Sequence, residues 1–345
     1  MARTKDRDEI VKGDCSIVTV GLSPAWDVTY SGRDLRWGEH KHATANIPQP
    51  AGKAMNISRA LAWMGERSIA AGLWGRDDYR QMLEALHQSG GLIKARMTPA
   101  EGGTRLNVSV VDTANQREMH LRLESRLASR KALRQLKADL SAPDRNIRGE
   151  NSICVFAGAM PEDKVLDDVV MVARSCHRLG AEIAVDTWGK ALSKLVDTGV
   201  CRLIKPNVEE LRELLREDVA DRPAALARAG RVLLGKVEIV LISCGEKGAV
   251  VVTKDGAWSC RAARRGKSVR IGSTVGCGDY LLAGFLKGLK DKLRLADALV
   301  TAVKVATAKA WGWTNTKNWH EVRRRIRLQT VFLRPRFCFR RKLRG

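Results

Sequence analysis

An α/β fold with a mostly parallel central sheet, helices on both of its faces and a small β lid is the architecture this sequence predicts, on three observations. From about residue 130 to residue 253, short β-branched runs alternate with amphipathic helical patterns at the spacing of βα units. The run Ser16 to Leu22 (SIVTVGL) is the β-branched pattern of a buried first strand. Residues 28–50 and 104–123 are polar or alternating and fit neither pattern; they are assigned to the lid.

Taken in order, residues 1–15 carry both charge signs, lead into no long apolar run and form an N-terminal extension. After the first strand a turn at Ser23-Pro24 delivers Asp27 to the strand's C-terminal end, where open α/β sheets bind ligands. Asp27 suits hydrogen bonds to a polyol; a turn-stabilising aspartate fits the spacing equally. His40 and His42 form a His-x-His pair with no further ligands nearby, which is weak support for a metal. Ala51 to Gly65 passes from a small-residue loop into an amphipathic helix with Ile57, Leu61 and Met64 on one face. Lys53 and Asn56 sit in its opening turns, so an ammonium and an amide face a ligand over the sheet edge. A strand over 68–74, a helix over 77–89 and a half-exposed strand over 102–111 follow. The last places Arg105 and Asn107 on one face, which suits a sugar phosphate or, as readily, a solvated strand surface.

The regular part predicts helices over 130–140, 162–179 and 223–234, a helical turn from about 189, and strands over 152–157, 182–186, 201–205, 238–243 and 249–253. Between Lys205-Pro206 and the next strand, Asn207 to Leu215 reads as a helix with Asn207 as N-cap and Glu210 three residues on, a capping box. The competing role for Asn207 and Glu210 is to organise water around magnesium. Ser273-Thr-Val-Gly-Cys-Gly-Asp279 then runs directly into an apolar helical pattern, so the backbone N–H groups of Gly276, Cys277 and Gly278 can converge on an anion. Asp279 stands beside that point, as a carboxylate must to take a proton from a hydroxyl while negative charge develops on a transferring phosphoryl group. A glycine turn with an aspartate at a helix start is the plain structural alternative.

The chain has 345 residues, is 44% hydrophobic and carries a formal charge of +23. That length holds one large domain, assigned to 16–315, and the charge favours anionic partners without choosing among them. Eight widely spaced cysteines form no Cys-x-x-Cys and no zinc pattern, and no segment reaches the ~20 apolar residues of a membrane span, so a cytoplasmic protein with free thiols and no membrane partner is expected. Gly266-Lys-Ser268 resembles the end of a P-loop, but Arg261 occupies the place of its first glycine. Residues 316–345 are a basic tail in which arginines interleave with Phe337 and Phe339. It reads as a solvated appendage with at most weak nucleic-acid binding.

Over about residues 16–312 the chain resembles the pfkB-type carbohydrate kinases of the ribokinase-like superfamily, most of all the 1-phosphofructokinase and tagatose-6-phosphate kinase branch. The resemblance is carried by Ser23 to Asp27, Ala51 to Asn56, Thr104 to Asn107, Asp186 to Leu192, Lys205 to Glu210, Ser243 to Gly248 and Ser273 to Asp279, seven motifs in family order. It implies a three-layer ribokinase-like α/β/α fold and an ATP- and Mg2+-dependent kinase acting on a phosphorylated ketohexose, foremost fructose 1-phosphate. By the same resemblance Asp279 is the base and Gly276, Cys277 and Gly278 form the anion hole. Asp27, Gly52, Lys53, Asn56, Arg105 and Asn107 hold the sugar phosphate. Lys205, Asn207, Ser243, Gly245 and Gly248 line the nucleotide side, Glu210 acts on magnesium through water, and a homodimer through the lid enters as a partner. The chain departs from the family pattern at Ala51 and Ala54, where Gly-Gly-Lys-Gly is usual, and at Trp188, Ser273 and Cys277.

Overall fold

The structure is a computed structural model that describes residues 16–87, 91–142, 152–161, 163–263 and 274–333. The N-terminal extension 1–15, Gly266–Ser268, Ser273 and the tail from 334 onward lie outside the described residues. In chain order the first half comprises β1 (Ile17–Gly21), β2 (Ala25–Gly32), β3 (Thr44–Ala45), β4 (Gln49–Ala51), α1 (Lys53–Trp63), β5 (Ser68–Gly75), α2 (Tyr79–His87), β6 (Ile93–Ala100), β7 (Leu106–Asp112), β8 (Arg117–Arg122) and α3 (Arg130–Ser141). The second half comprises β9 (Ile153–Ala157), α4 (Asp163–Arg178), β10 (Glu182–Asp186), α5 (Gly189–Asp197), β11 (Cys201–Ile204), α6 (Val208–Leu215), α7 (Pro223–Val232), β12 (Ile239–Ser243), β13 (Ala249–Thr253), β14 (Gly256–Ala262), α8 (Cys277–Lys290), α9 (Leu295–Ala310), α10 (Trp319–Arg325) and β15 (Leu328–Phe332).

Ten strands form the main sheet in the order β15-β14-β13-β12-β11-β10-β9-β1-β5-β6, parallel from β12 to β6 and antiparallel from β13 to β15. Its parallel strands are apolar on both faces because helices cover both. Alternate residues divide accordingly: Cys154, Phe156, Ile183 and Val185 join the core under α3 to α7, while Ile153, Val155 and Ala184 join the core under α1, α8 and α9. α8 and α9 approach closely through Gly284 and Gly288. A Cβ on Gly284 would lie 2.8 Å from Ala302 Cα and one on Gly288 2.6 Å from Ala298 Cβ. This packing sets the C-terminal turn of α9 beside the N-terminal turn of α8.

The lid is a separate sheet of β3-β2-β7-β8, with β4 also paired to β2. β2 and β7 run parallel with Asp27 opposite Asn107, and β8 closes antiparallel on β7. The alternation makes the lid two-faced: Val28, Tyr30, Val108, Val110, Met119 and Leu121 share one face, and Asp27, Asn107 and Arg122 the other. Asp112 closes the far end, accepting the N–H groups of Asp34 (2.9 Å) and Leu35 (3.1 Å). Both stems of the lid meet at Asp78. Its Oδ2 accepts the indole N–H of Trp26 (2.6 Å) and of Trp74 (2.7 Å), and its Oδ1 accepts the Thr104 N–H (2.7 Å). The two indoles meet edge to face at 5.4 Å.

The appendage expected from residue 316 is corrected in part. α10 buries Val322 and Ile326 beside Ala308 of α9, and β15 completes the main sheet by pairing with β14 from Trp258↔Phe332 to Ala262↔Leu328. The indole N–H of Trp63 donates to the Lys317 carbonyl at 2.9 Å, tying this segment to α1. The compositional reading failed because arginines outnumber the few apolar residues that make these contacts. Beyond the Ser23-Pro24 turn, Asp27 is the third residue of the lid strand β2 rather than a loop residue at the end of β1.

Candidate active site

Asp186 and Ser243 end β10 and β12, and Lys205 follows β11, on the C-terminal side of the parallel sheet, the side on which open α/β folds bind ligands. β10 ends on Asp186, which is fully buried and receives two ammonium groups on Oδ1: Lys53 Nζ from α1 at 3.0 Å and Lys205 Nζ, just past β11, at 3.2 Å. Burial works to raise the Asp186 pKa, but the two lysines outweigh it and hold the carboxyl below its ordinary range. The Lys53 ammonium is correspondingly favoured: burial lowers its pKa, and Asp186 and Asp279 raise it further than burial lowers it. Oδ2 of Asp186 is buried with no hydrogen-bond partner.

Across this knot, α8 begins at Cys277 after Gly276, whose φ of 77° is the left-handed region that glycine enters without strain. The first intrahelical bond runs from Tyr280 N–H to the Gly276 carbonyl (3.0 Å), so the N–H groups of Cys277, Gly278 and Asp279 precede the helical ladder. The Cys277 N–H donates within the turn to the Thr274 carbonyl at 3.3 Å. Asp279 is 4% exposed and accepts a hydrogen bond from Asn56 Nδ2 at 2.8 Å. Its pKa is pushed up to about 7, first by burial and then by the charge of Asp186, against the lowering effect of Asn56, Lys53 and Lys205. A carboxylate that titrates near neutrality beside a helix N-terminus is equipped to take a proton from a hydroxyl where an anion is also held.

Asp27 and Asn107 meet across β2 and β7, Asn107 Nδ2 donating to Asp27 Oδ1 at 2.8 Å; Oδ1 of Asn107 is buried without a partner. Gly52 caps α1, leaving Lys53 at the first helical position. Arg105 lies just before β7 and is turned toward backbone: its guanidinium donates to the carbonyls of Ser23 and Pro24 (3.2 Å each) and of Leu123. Three of its five N–H donors are therefore engaged in holding the lid stem.

On the other flank, Asn207 and Glu210 form the reciprocal capping box that the spacing predicts, Asn207 Oδ1 accepting Glu210 N–H and Glu210 Oε2 accepting Asn207 N–H, both at 2.8 Å. Asn207 bridges to Ser243 at the end of β12. Glu210 is near enough to Lys53 to raise the ammonium's pKa. Gly245 opens a short 3-10 turn. Gly248 has a packing reason of its own, since a Cβ there would fall 2.0 Å from the Cys260 carbonyl oxygen. Lys205, 3% exposed, faces Asp186 and the first turn of α8.

Ala51 and Ala54 are both buried, and the Ala54 methyl lies against Gly21 of β1. Trp188 caps α5, is 44% exposed and lies 4.9 Å from Lys53 Nζ, a cation–π contact. The sequence marks Asp186 only by its position as the last residue of a buried apolar run at a strand's C-terminal end. Among the described residues no cluster of three or more His, Cys, Asp or Glu side chains could hold a metal, and no helix is long and apolar enough to cross a membrane.

The family described as pfkB family carbohydrate kinase matches residues 20–310. The 1-phosphofructokinase of Bacillus subtilis (strain 168) is 26% identical over 300 residues, 86% of this chain and 92% of its own length. The ATP-dependent 6-phosphofructokinase isozyme 2 of Mycobacterium tuberculosis is also 26% identical, over 281 residues, 81% of this chain and 79% of its own. Among solved structures, the tetrameric inhibited form of phosphofructokinase-2 from Escherichia coli superposes with a TM-score of 0.79 at 23% identity, covering 90% of this chain and 98% of that one. A possible 1-phosphofructokinase from Thermotoga maritima gives a TM-score of 0.70 at 21% identity, covering 92% and 99%. At those identities the two structures speak for the ribokinase-like fold.

Proposed function

The chain belongs to the pfkB family of carbohydrate kinases, and from that premise we propose that it transfers the terminal phosphoryl group of ATP to a hydroxyl of a phosphorylated ketohexose, foremost fructose 1-phosphate, yielding fructose 1,6-bisphosphate. The observation that carries this reading is Asp279: buried, hydrogen-bonded by Asn56, and raised to a pKa of about 7 at the start of α8. In the reaction the substrate hydroxyl oxygen bonds to the terminal phosphorus as the bond from that phosphorus to its bridging oxygen breaks. The hydroxyl proton passes to Asp279, and ADP leaves with the bridging oxygen. The N–H groups of Gly276, Cys277 and Gly278 supply donors to the charge that develops on the phosphoryl oxygens, that of Cys277 by giving up its 3.3 Å bond to the Thr274 carbonyl.

Asp27, Gly52, Asn56 and Asn107 hold the sugar hydroxyls in this reading, with Lys53 and Arg105 on the substrate phosphate. For Arg105 that contact uses the two N–H groups not directed at backbone. Lys205, Asn207, Ser243, Gly245 and Gly248 line the nucleotide side, Lys205 while paired with Asp186. Magnesium fits the donor set. The unpartnered Asp186 Oδ2 and the Glu210 carboxylate are hard oxygen donors on the side from which Lys53 reaches in, and too few to form a closed cage. When bound, the ion would neutralise charge on the nucleotide phosphates, and Glu210 would hold it through water.

A second copy of the chain is the proposed occupant of the lid's apolar face, where Tyr30, Leu106, Met119, Leu121 and Leu123 are 41–60% exposed. Light scattering on the full chain should give a dimer that Leu121→Lys dissociates. For the reaction, a coupled ADP assay over a panel of sugar phosphates is expected to give the highest kcat/KM with fructose 1-phosphate. Preference for fructose 6-phosphate, on which the solved phosphofructokinase-2 complex of Escherichia coli reports, or for tagatose 6-phosphate changes the substrate and leaves the chemistry. Turnover of a free sugar or nucleoside alone overturns the proposal.

A further inference from the structure

The close packing of α8 on α9 brings to the anion site a cation that none of the family motifs contains. Lys309 is the penultimate residue of α9, and its Cε lies 3.8 Å from where a Cβ on Gly276 would stand. The same point is 3.8 Å from Asn56 Nδ2 and 3.8 Å from Asp279 Oδ2. Lys309, Asn56 and Asp279 therefore surround the space that Gly276 leaves open. Lys309 Nζ sits 5.3 Å from the centre of the Tyr280 ring, and among the described residues no carboxylate lies within ion-pair distance of it. On the other side of the same turn, Lys205 Nζ is 3.5 Å from the Cβ position of Gly278.

A lysine at a helix N-terminus opposes the helix dipole, and two lysines flanking one such turn oppose it twice. The only acidic side chain in the first turn of α8 is Asp279, which is half protonated near neutrality. Asp186, the carboxylate that pairs with Lys205, already serves Lys53 as well and keeps a buried oxygen without a partner. The turn is thus short of negative charge, and a bound polyanion supplies what the protein does not. The position is also selective. Lys309 stands over Gly276, on the side of Asp279 and Asn56, where the transferring group must lie to be attacked by a hydroxyl that Asp279 deprotonates.

We propose that Lys309 is a catalytic residue that binds an oxygen of the terminal phosphoryl group of the nucleoside triphosphate and holds it as the group passes to the substrate hydroxyl. The inference rests on the kinase reading and assigns it one more residue. A contact to the terminal phosphoryl group distinguishes a nucleoside triphosphate from a diphosphate, and its charge strengthens as the bridging bond breaks.

The test uses the full chain and the variants Lys309→Met, which keeps the aliphatic contact with Tyr280, and Lys309→Arg, which keeps the charge. Calorimetry with Mg2+ and either β,γ-imido-ATP or ADP should show Lys309→Met weakening the triphosphate analogue about tenfold or more and ADP less than twofold. Its kcat should fall about 10- to 100-fold with the sugar-phosphate KM unchanged, and Lys309→Arg should recover most of both losses. Equal binding of both nucleotides by Lys309→Met and the parent, with kcat within twofold, overturns the proposal and leaves Lys309 a packing residue. Equal loss of both nucleotides in both variants overturns it in favour of a structural role. A parent chain that binds neither nucleotide overturns the kinase reading itself, a result separate from either variant outcome.

Discussion

The end of β10 and the first turn of α8 each bury an aspartate near Lys53, and the two respond in opposite ways. Asp186 is fully buried and Asp279 is 4% exposed, so desolvation acts on both with comparable force. Asp186 has two ammonium groups within 3.2 Å and stays ionised. Asp279 has one amide at 2.8 Å and the negative charge of Asp186 nearby, and its pKa is pushed up to about 7. Burial alone therefore assigns no role; the nearest donors decide which carboxylate is a permanent charge and which one exchanges a proton.

The strongest way to break this comparison is Asp279→Asn, which keeps shape and hydrogen bonding but removes the proton acceptor. kcat should fall by about 10²- to 10⁴-fold with little change in KM; steady-state kinetics on the preferred sugar phosphate would show it. In the parent, kcat/KM should rise with pH through about 7 as Asp279 loses its proton.

Next in size is Asp186→Asn, which strands Lys53 and Lys205 without their counter-charge and should cost about 3–5 kcal/mol of stability, read by chemical denaturation. The two substitutions should also carry opposite pH signatures. Asp186, held below the ordinary value of ~3.9, contributes stability that is present above that value and lost as pH falls. Asp279, raised to about 7, contributes stability that is present below ~3.9 and lost as pH rises through 7. Relative to the parent, Tm of Asp279→Asn should therefore be higher at pH 8 than at pH 5, whereas that of Asp186→Asn should lie below the parent by the same margin at both and approach it only below about pH 4.

A smaller effect sharpens the contrast. Asn56→Ala removes the donor that holds the Asp279 pKa down, so the acidic limb of the pH–rate profile should move upward by about one unit, the equivalent of a ~1.4 kcal/mol hydrogen bond. A downward movement would contradict the placement of that amide. The smallest effect is expected from Trp188→Ser, which removes the cation–π contact with Lys53 and should weaken sugar-phosphate binding by about 0.5–1 kcal/mol, seen as a modest KM increase with kcat unchanged.

Much of the site is legible in the sequence because its parts are local. The turn before α8, the capping box at Asn207 and Glu210, and the small-residue entry to α1 each declare themselves within a few residues. What unites them is not local: Lys53 and Asp186 are joined by a register that runs from β1 through β9 to β10, and no spacing in the chain encodes it. Lys309 was invisible for the same reason, since only the fit of Gly284 and Gly288 against α9 carries it to Gly276. The β15 segment was hidden differently. Its neighbours are so rich in arginine that composition outweighed the short Leu328 to Phe332 run that pairs with β14.

Asp78 also sets a clock for the lid. Because one carboxylate fastens Trp26, Trp74 and the backbone of Thr104, the two stems cannot part from β5 separately, and their amides should exchange with deuterium only at the slow rate of global opening. The outer strand β8, exposed along its whole length, lies beyond that fastening and should exchange in a far shorter time. Substrate thus meets a lid whose root keeps the pace of the core while its rim keeps the pace of solvent.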